Sequence, residues 1–296
     1  MSQIVLVTGA SSGFGRLTVE RLARAGHVVW AGMRDVTTRN AGVAAELAAL
    51  AAQADLKLRT VELDVTSTDS VNAAVEQVRK TDGRVDVVFN NAGRMFTGLA
   101  ESFSVEQLQL QLETNLVGAF RVVKAVLPIM REQGAGLLIH TSSVFGRLAN
   151  PFVGLYNSSK FGLEGLVHAL AYETHLLGID NVLLEAGPFR TNIATGGEPP
   201  VDAAVAARYG AVGETLGGWF QGMGAFMAQE NPLLDPNLVA QAVEELIAMP
   251  AGTRPLRRPV GIDYGVGQLN EAAAPFERGI VDTQQLGFLT GPRRSS

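Results

Sequence analysis

Short runs of β-branched and apolar residues alternate with longer stretches of helical period along most of this 296-residue chain. Such runs are typical of buried parallel strands, and the stretches between them are long enough for helices that cross back over a sheet. We therefore expect repeated βαβ units that form one doubly wound α/β sheet with helices on both faces. The seven expected strands are residues 4–8, 27–33, 56–63, 84–90, 136–142, 181–186 and 254–260.

The chain is long and apolar enough to bury one large core. With 47% hydrophobic residues it suits a single domain over residues 1–296 better than two small domains. Residues 188–235 interrupt the alternation with Ala-, Gly- and Met-rich sequence that carries aromatic residues. An insertion of this kind is typical of a substrate loop or lid, and an extra helical layer packing its own aromatics is an equal alternative.

Charge and cysteine content exclude several classes of function. The net charge of −5 comes from scattered residues, so no basic patch for nucleic acid is expected. The absence of cysteine excludes disulfides and cysteine nucleophiles, and the four histidines lack metal-ligand spacing, so no metal is expected. With no signal sequence and no apolar run long enough for a membrane, the expected location is cytoplasmic.

A glycine-rich segment, VTGASSGFGRL, follows the first expected strand and opens an amphipathic helix. Its glycines allow a tight turn, close approach of a pyrophosphate and close helix–strand packing, while the helix N-terminus offers N–H groups to phosphate. This setting predicts a dinucleotide site, although a structural turn that binds nothing is the alternative. The expected cofactor contacts here are Gly9, Ser11, Ser12, Gly13, Phe14 and Gly15.

The end of the second strand predicts which dinucleotide binds. An acidic residue about 20 positions beyond the glycines would bind the ribose 2′-hydroxyl of NAD. This chain has Gly32-Met33-Arg34 there, and Arg34 offers a planar cation to a phosphate. We therefore expect a preference for NADP(H), with NAD(H) possible because Asp35 follows directly.

Tyr156 and Lys160 are four residues apart, so on a helix they share one face. A free phenol has a pKa of about 10. A neighbouring ammonium is expected to lower it, which would make Tyr156 a usable acid or base. Such a pair alone is common on helix surfaces, but here hydroxyl residues at 141–143 end a preceding strand and can reach a substrate carbonyl.

An ordered set of motifs covers about two thirds of the chain: TGASSGFG at 8–15, LDV at 63–65, NNAG at 90–93, ETNLVGAF around Asn115, Ser143, YNSSK at 156–160 and GPFRT at 187–191. The set resembles the short-chain dehydrogenase/reductase family, in particular its retinol and steroid dehydrogenase and carbonyl reductase branches. The resemblance implies a Rossmann-type fold and transfer of a hydride between a nicotinamide and the carbon of a hydrophobic ketone or secondary alcohol.

The resemblance also implies roles for individual residues. Tyr156 would be the acid/base, Lys160 would lower its pKa and hold the nicotinamide ribose, and Ser143, more than Ser142, would bind the substrate oxygen. Asn115 would hold a water that links Lys160 to solvent. The implied cofactor contacts beyond the glycine-rich segment are Asp64, Val65, Asn90, Asn91, Ala92, Gly93, Tyr156, Lys160, Pro188 and Thr191. The family usually has Pro-Gly where this chain has Ala186-Gly187, which loosens the assignment of Thr191.

The residues that the resemblance places around the reacting carbon are mostly apolar, which favours a hydrophobic substrate over a sugar or a small acid. They are Met95, Phe96, Leu148, Ala149, Pro151, Phe152 and Phe189. Gly162, Gly165 and Ala169 would let a second subunit approach in a homodimer or homotetramer, and a monomer packing on the same gaps is equally consistent.

Two other classes of function are alternatives for this chain. A sugar-nucleotide epimerase or dehydratase of the same family shares the Tyr/Lys pair, but usually has different glycine spacing and a larger C-terminal domain. A non-catalytic, NADP-sensing Rossmann module would not need Ser143, Tyr156 and Lys160 together.

Glu164 lies four residues before His168, and these two residues are expected to form a pair on the surface of a helix.

Overall fold

All seven expected strands lie in one parallel sheet in the computed structural model, which describes residues 2–194 and 197–290. The strands are β1 Ile4–Thr8, β2 Val28–Met33, β3 Leu58–Glu62, β4 Val87–Asn90, β5 Gly136–Ser143, β6 Ile179–Ala186 and β7 Arg257–Val260. Their order is β3-β2-β1-β4-β5-β6-β7. The order reverses between β1 and β4, and ligands of open α/β sheets bind outside the carboxyl ends of the strands at such a point.

Helices connect the strands and cover both faces of the sheet, so the expected fold class is confirmed. They are α1 Gly13–Arg24, α2 Ala41–Gln53, α3 Thr68–Asp82, α4 Val105–Leu112, α5 Gly118–Gln133, α6 Gly154–His175, α7 Val205–Arg208, α8 Ala211–Met227, α9 Asn237–Ala248 and α10 Val266–Thr283.

Residues of β1 show how one strand supports two layers of core. Val5 and Val7 pack in one cluster with Leu22 of α1 and Val243 of α9. Leu6 points the other way, into a cluster with residues of α3 and α5. Because successive side chains of a strand face opposite sides, a strand that is buried on both faces is mostly apolar, as β1 is. This is why the strands are legible in the sequence as continuous apolar runs.

The last strand is shorter than expected, and Arg254, the first residue of the expected run, contacts the end of α9 instead. Arg254 donates hydrogen bonds to the carbonyl oxygens of Leu246 and Met249 at the end of α9, and it pairs with Asp180 at 2.6 Å. A cation at a helix C-terminus satisfies carbonyls that have no partner within the helix. Strand β7 itself begins at Arg257.

The inserted segment, residues 188–235, contains α7 and α8 in its described part. No residue of α8 is fully buried. Residues 195 and 196 within the insertion, and 1 and 291–296 at the ends of the expected domain, lie outside the described residues. Among the helices of residues 2–194 and 197–290, none is both long and apolar enough to cross a membrane.

Candidate active site

The glycine turn, residues 8–15, lies directly against the NNAG segment. Gly9 has a φ of 66°, and a Cβ atom there would lie 2.8 Å from the Cα atom of Ala92. Asn91 Nδ2 donates to the carbonyl oxygens of Thr8 at 3.0 Å and Gly9 at 3.2 Å. The hydroxyl oxygen of Thr8 accepts the N–H groups of both Asn91 and Ala92 at 3.0 Å. Thr8 thus fastens two expected cofactor segments together, a role that the sequence motifs did not indicate.

The second half of the turn meets α1 and the segment after β6. A Cβ atom on Gly15 would overlap the carbonyl oxygen of Gly9. Gly13 has a φ of 52°, and a Cβ atom there would lie 3.8 Å from Thr191 Cγ2. The rings of Phe14 and Phe189 form an edge-to-face contact with centroids 5.3 Å apart. Thr191 therefore lies beside the turn even though the Pro-Gly order of the family is changed.

The turn fits a dinucleotide phosphate. Helix α1 begins without a capping hydrogen bond from the Ser12 side chain, so its first N–H groups have no such partner. Helix N-termini with free N–H groups and glycine backbone bind phosphate through those groups and through positive potential. If a nicotinamide dinucleotide binds, the turn would hold its pyrophosphate, and Ser11 and Ser12 would add hydroxyl donors.

Two arginines, Arg34 after β2 and Arg94 after the NNAG segment, are electrostatically coupled. Burial lowers the pKa of Arg94, and the positive charge of Arg34 lowers it further. The loop that carries Arg34 is locked by Glu62, whose two carboxylate oxygens accept the N–H groups of Asp35 and Val36 at 2.9 Å. Neither Arg94 nor Glu62 was assigned to the cofactor from sequence, although Arg94 directly follows the NNAG motif.

Three other expected cofactor contacts, Asp64, Val65 and Asn90, make hydrogen bonds within the protein. The side chain of Asp64 accepts both the N–H and the hydroxyl of Thr66, at 2.9 and 2.8 Å. Val65 is buried, and its carbonyl oxygen accepts a hydrogen bond from Arg121. Asn90 points into the core, where Nδ2 lies 3.4 Å from His140 Nδ1. The Asn90 side chain is therefore structural in this arrangement, and any contact of this residue with a cofactor would come from its backbone.

Tyr156, Lys160 and Ser143 meet at the carboxyl end of β5. Tyr156 and Lys160 lie one turn apart on α6, and all three residues are at most 6% exposed. Lys160 Nζ donates to the carbonyl oxygen of Thr141 at 2.6 Å and lies 5.6 Å from the centroid of the Tyr156 ring. The fold thus encloses the phenol, the ammonium and the hydroxyl that the sequence motifs had singled out.

Burial dominates the acidity of this group. It raises the pKa of Tyr156 to about 12, against the opposing hydrogen bond from Ser143. It also lowers the pKa of Lys160 to about 8, against the opposing charge of Glu164. The expectation that the pKa of Tyr156 lies below its ordinary value is wrong for this arrangement, because desolvation of the phenolate outweighs the favourable interactions.

The two candidate serines point to different surroundings. The Ser143 hydroxyl accepts the N–H of Phe145 at 3.1 Å next to Tyr156, whereas the Ser142 hydroxyl donates to Glu164 at 2.5 Å inside the core. The expected surface pair of Glu164 and His168 is wrong. Glu164 is 3% exposed and bonds Arg257, because α6 turns this side of the helix toward β5 and β7.

Asn115 lies in a π-helical turn, Glu113–Val117, between α4 and α5. Its Oδ1 accepts the N–H of Arg94, and its Nδ2 donates to the carbonyl of Arg94 and the hydroxyl of Ser159. The side chain thereby connects the segment after NNAG to α6. π-Helical turns are frequent at functional sites. The expected water link between Asn115 and Lys160 stays a prediction.

The apolar lining differs in part from the expected set. Phe96 is 1% exposed and packs against Phe103. Phe189 is 4% exposed and packs against Phe14. Both rings are therefore part of the packing beneath the site. Phe152 is only partly buried and its ring contacts Trp219 of α8 with centroids 5.8 Å apart. Among the described residues, no group of three or more His, Asp and Glu side chains is arranged so that it could hold a metal ion.

The chain is similar in sequence to known proteins of one family. The family model of the short-chain dehydrogenases matches residues 3–199. The chain is 40% identical over 189 residues to a 3-ketodihydrosphingosine reductase of Bacteroides thetaiotaomicron, covering 64% of this chain and 65% of that protein. It is 39% identical over 191 residues to human 17-beta-hydroxysteroid dehydrogenase type 1, covering 64% and 57%. The matched region therefore spans less than two thirds of either relative.

Solved structures share the fold over nearly the whole chain. A short-chain dehydrogenase from Streptomyces avermitilis superposes with a TM-score of 0.73 at 30% identity, covering 96% of this chain and 99% of that one. An actinorhodin polyketide ketoreductase with NADPH superposes with a TM-score of 0.71 at 29% identity, covering 90% and 97%. With its glycine turn, its Ser143–Tyr156–Lys160 group and a family match over about two thirds of its length, this chain belongs to the short-chain dehydrogenases.

Proposed function

We propose that the protein is an NADP(H)-dependent oxidoreductase that interconverts a hydrophobic ketone and the corresponding secondary alcohol. The observation that carries this proposal is the enclosure of Tyr156, Lys160 and Ser143 at the sheet edge that also carries the glycine turn. The named relatives are a reductase and a dehydrogenase, which supports the same class of reaction.

The bound nicotinamide would supply the hydride, and the residues of the chain would handle the oxygen and its proton. Ser143 would bind the carbonyl oxygen, and Tyr156 would donate a proton to it as negative charge develops. Since burial raises the pKa of Tyr156 to about 12, the phenol is protonated at neutral pH and ready to act as an acid. In the reductive direction Tyr156 would therefore act as the general acid.

Replacing Tyr156 with Phe tests the assignment, because Phe preserves the ring and removes the proton donor. We expect kcat to fall by a factor of 100 or more, roughly the value of general acid catalysis, while the dinucleotide still binds. The assay follows the nicotinamide absorbance, and fluorescence titration measures cofactor binding. Near-normal turnover by this variant would reject the role given to Tyr156.

A preference for NADP(H) is supported by the cations at the adenosine end. The positive charge of Arg34 acts on Arg94, and a 2′-phosphate would relieve the repulsion between them. Arg34→Ala should raise the KM for NADPH about tenfold, as loss of one charge-assisted contact does, and change the KM for NADH little. Arg24→Ala, which removes an exposed arginine in the last turn of α1, is the control and should change neither KM. A wild-type protein that prefers NAD(H) would contradict the proposal.

We propose that the inserted segment, residues 188–235, closes over the substrate. Trp219 of α8 contacts Phe152, which lies four residues before Tyr156, and α8 carries a single charged residue, Glu214. An apolar enclosure of this kind favours a hydrophobic substrate. A panel of aliphatic, aromatic and steroidal ketones, assayed with both cofactors, tests this. Turnover of polar sugars alone would reject it.

A further inference from the structure

Three successive turns of α6 hold three successive residues of β5. Tyr156 meets Ser143, Lys160 donates to the carbonyl oxygen of Thr141, and one turn later Glu164 accepts the hydroxyl of Ser142. The first two contacts belong to the reacting group. The third lies deeper and has no part in the proposed chemistry.

Glu164 is clamped from both sides. One carboxylate oxygen accepts the Ser142 hydroxyl at 2.5 Å, and the other accepts Arg257 Nε at 2.9 Å. Ser142 is 1% exposed and Glu164 is 3% exposed. Gly146 packs against this contact so closely that a Cβ atom there would lie 2.8 Å from Ser142 Oγ and 3.1 Å from Glu164 Cγ. The carboxylate therefore occupies a single position.

A fully buried carboxylate is costly unless its charge is compensated. Arg257 compensates Glu164 and also pairs with Glu277 of α10 at 3.1 Å, so the cluster joins α6, β5, β7 and α10. The charged or titratable groups around Glu164 are Lys160 and His168 on its own helix, Glu185 on β6, Arg257 on β7, Glu277 on α10 and Arg147 beyond β5.

We propose that Glu164 is a positioning residue: by accepting the Ser142 hydroxyl it keeps the neighbouring Ser143 in place beside Tyr156, and its negative charge, buried one helical turn beyond Lys160, acts on the Lys160 side chain. The effect of Glu164 on Lys160 follows from burial. Lys160 is 3% exposed, and desolvation favours the neutral amine, whereas the negative charge of Glu164 favours the cation. The functional consequence rests on the proposed function, but the effect on Lys160 does not.

Glu164→Gln keeps the shape and an oxygen that can accept the Ser142 hydroxyl, and it removes the charge. Ser142→Ala removes the hydrogen bond and keeps the charge. Glu173→Gln is the matched control, because Glu173 is exposed on the same helix. The three variants therefore separate the charge of the buried carboxylate from its hydrogen bond and from any general effect on α6.

The direct readout is the titration of Lys160 by NMR of protein labelled at lysine. The sequence contains four lysines, so Lys57, Lys80 and Lys124 serve as internal references and Lys160→Met identifies the remaining signal. We expect Glu164→Gln to move the Lys160 midpoint down by roughly one pH unit, as loss of a nearby opposite charge does. Ser142→Ala and Glu173→Gln should leave it unchanged. An unchanged midpoint in Glu164→Gln would overturn the proposal.

Turnover supplies the second readout. Glu164→Gln should lower kcat about tenfold with little change in KM, and its loss of activity at high pH should begin at lower pH than in the wild type. Ser142→Ala should lower kcat without moving that pH limb. A Glu164→Gln protein whose kcat and pH limb match those of Glu173→Gln would refute the positioning role. Wild-type protein without any nicotinamide-linked turnover would instead refute the proposed function, and the Lys160 titration would still test Glu164.

Discussion

At the scale of single residues, the cofactor cleft depends on positions that have no room for a side chain. A Cβ atom on Gly15 would overlap the carbonyl oxygen of Gly9 and lie 2.7 Å from Asn91 Nδ2. The glycine turn and the NNAG segment are therefore in direct contact, and any added methyl group must push them apart. Core sites tolerate such overpacking poorly.

Gly15→Ala should weaken binding of the dinucleotide at least tenfold and destabilise the fold by about 1–3 kcal/mol, the usual cost of overpacking. Fluorescence titration with NADPH and denaturant unfolding measure the two effects. Gly217→Ala is the control, since a Cβ atom on this α8 glycine would meet nothing within 4 Å. That variant should be neutral or gain up to about 1 kcal/mol, the difference in helix propensity between Ala and Gly. Equal behaviour of the two variants would argue against the contact.

At the scale of elements, α8 is an amphipathic helix without a buried face. Its large apolar residues recur at helical spacing, as in Leu216, Trp219, Met223 and Phe226, and these four are only partly buried. Its C-terminus is held by Arg190, which donates to the carbonyl oxygens of Met227 at 3.1 Å and of Gln229 and Asn231 at 2.8 and 3.0 Å. Elements with few buried contacts open most readily, which suits a segment that admits a substrate.

Arg190→Ala should release the C-terminus of α8, because three carbonyl oxygens lose their charged donor. We expect faster hydrogen exchange along α8 and a severalfold higher KM for hydrophobic ketones, with cofactor affinity little changed. Arg208→Ala, on the exposed side of α7, is the matched control. If exchange in α8 stays at the wild-type rate, Arg190 does not anchor this helix.

At the scale of the whole molecule, the buried charge cluster links stability to pH. Burial, followed by the negative charge of Glu164, raises the pKa of Glu185 from 4.5 to about 7. Glu185 is fully buried, and only one of its carboxylate oxygens has a hydrogen-bond partner, Asn270 Nδ2 at 2.6 Å. The folded protein thus keeps a proton on Glu185 at pH values where the unfolded chain has released it.

The contribution of Glu185 to the free energy of unfolding should therefore fall as pH rises from about 4.5 to about 7, because the folded state binds more protons in this window. The slope has an upper limit of about 1.4 kcal/mol per pH unit for one group. Urea unfolding at pH 5, 6, 7 and 8 measures the difference between wild type and Glu185→Gln. A difference that is independent of pH would show that Glu185 ionises normally.

The surface of α6 bears on the expected oligomer. A Cβ atom on Gly162 would lie 3.0 Å from Leu116 Cδ2, so this glycine serves packing within the chain. Gly165 has open space around it and lies between exposed Phe161 and Ala169. We expect a homodimer or homotetramer that uses this stripe, and Phe161→Glu should dissociate it in sedimentation experiments. Phe276→Glu, on exposed α10, should leave the assembly intact; dissociation by this control alone would place the interface elsewhere.

Much of the fold and of the reacting group was legible in the sequence because the signals are local. Short β-branched and apolar runs between helical stretches predicted all seven strands, most clearly β1 and β2, which are buried and almost wholly apolar. Because Tyr156 and Lys160 are four residues apart, their spacing predicted that they lie on one face of a helix. The glycines were recognisable because a turn against a phosphate needs residues without side chains.

Only the tertiary structure decided what depends on contacts between distant segments. It placed Glu164 in the core with Arg257, 93 positions away, where helical spacing alone predicted a surface pair. It also reversed the expected direction of the Tyr156 pKa, because desolvation is set by everything that packs around a group and not by its neighbours in sequence. The sequence by itself determined the elements and indicated the candidate reacting groups. Packing determined their surroundings, and with them their charge.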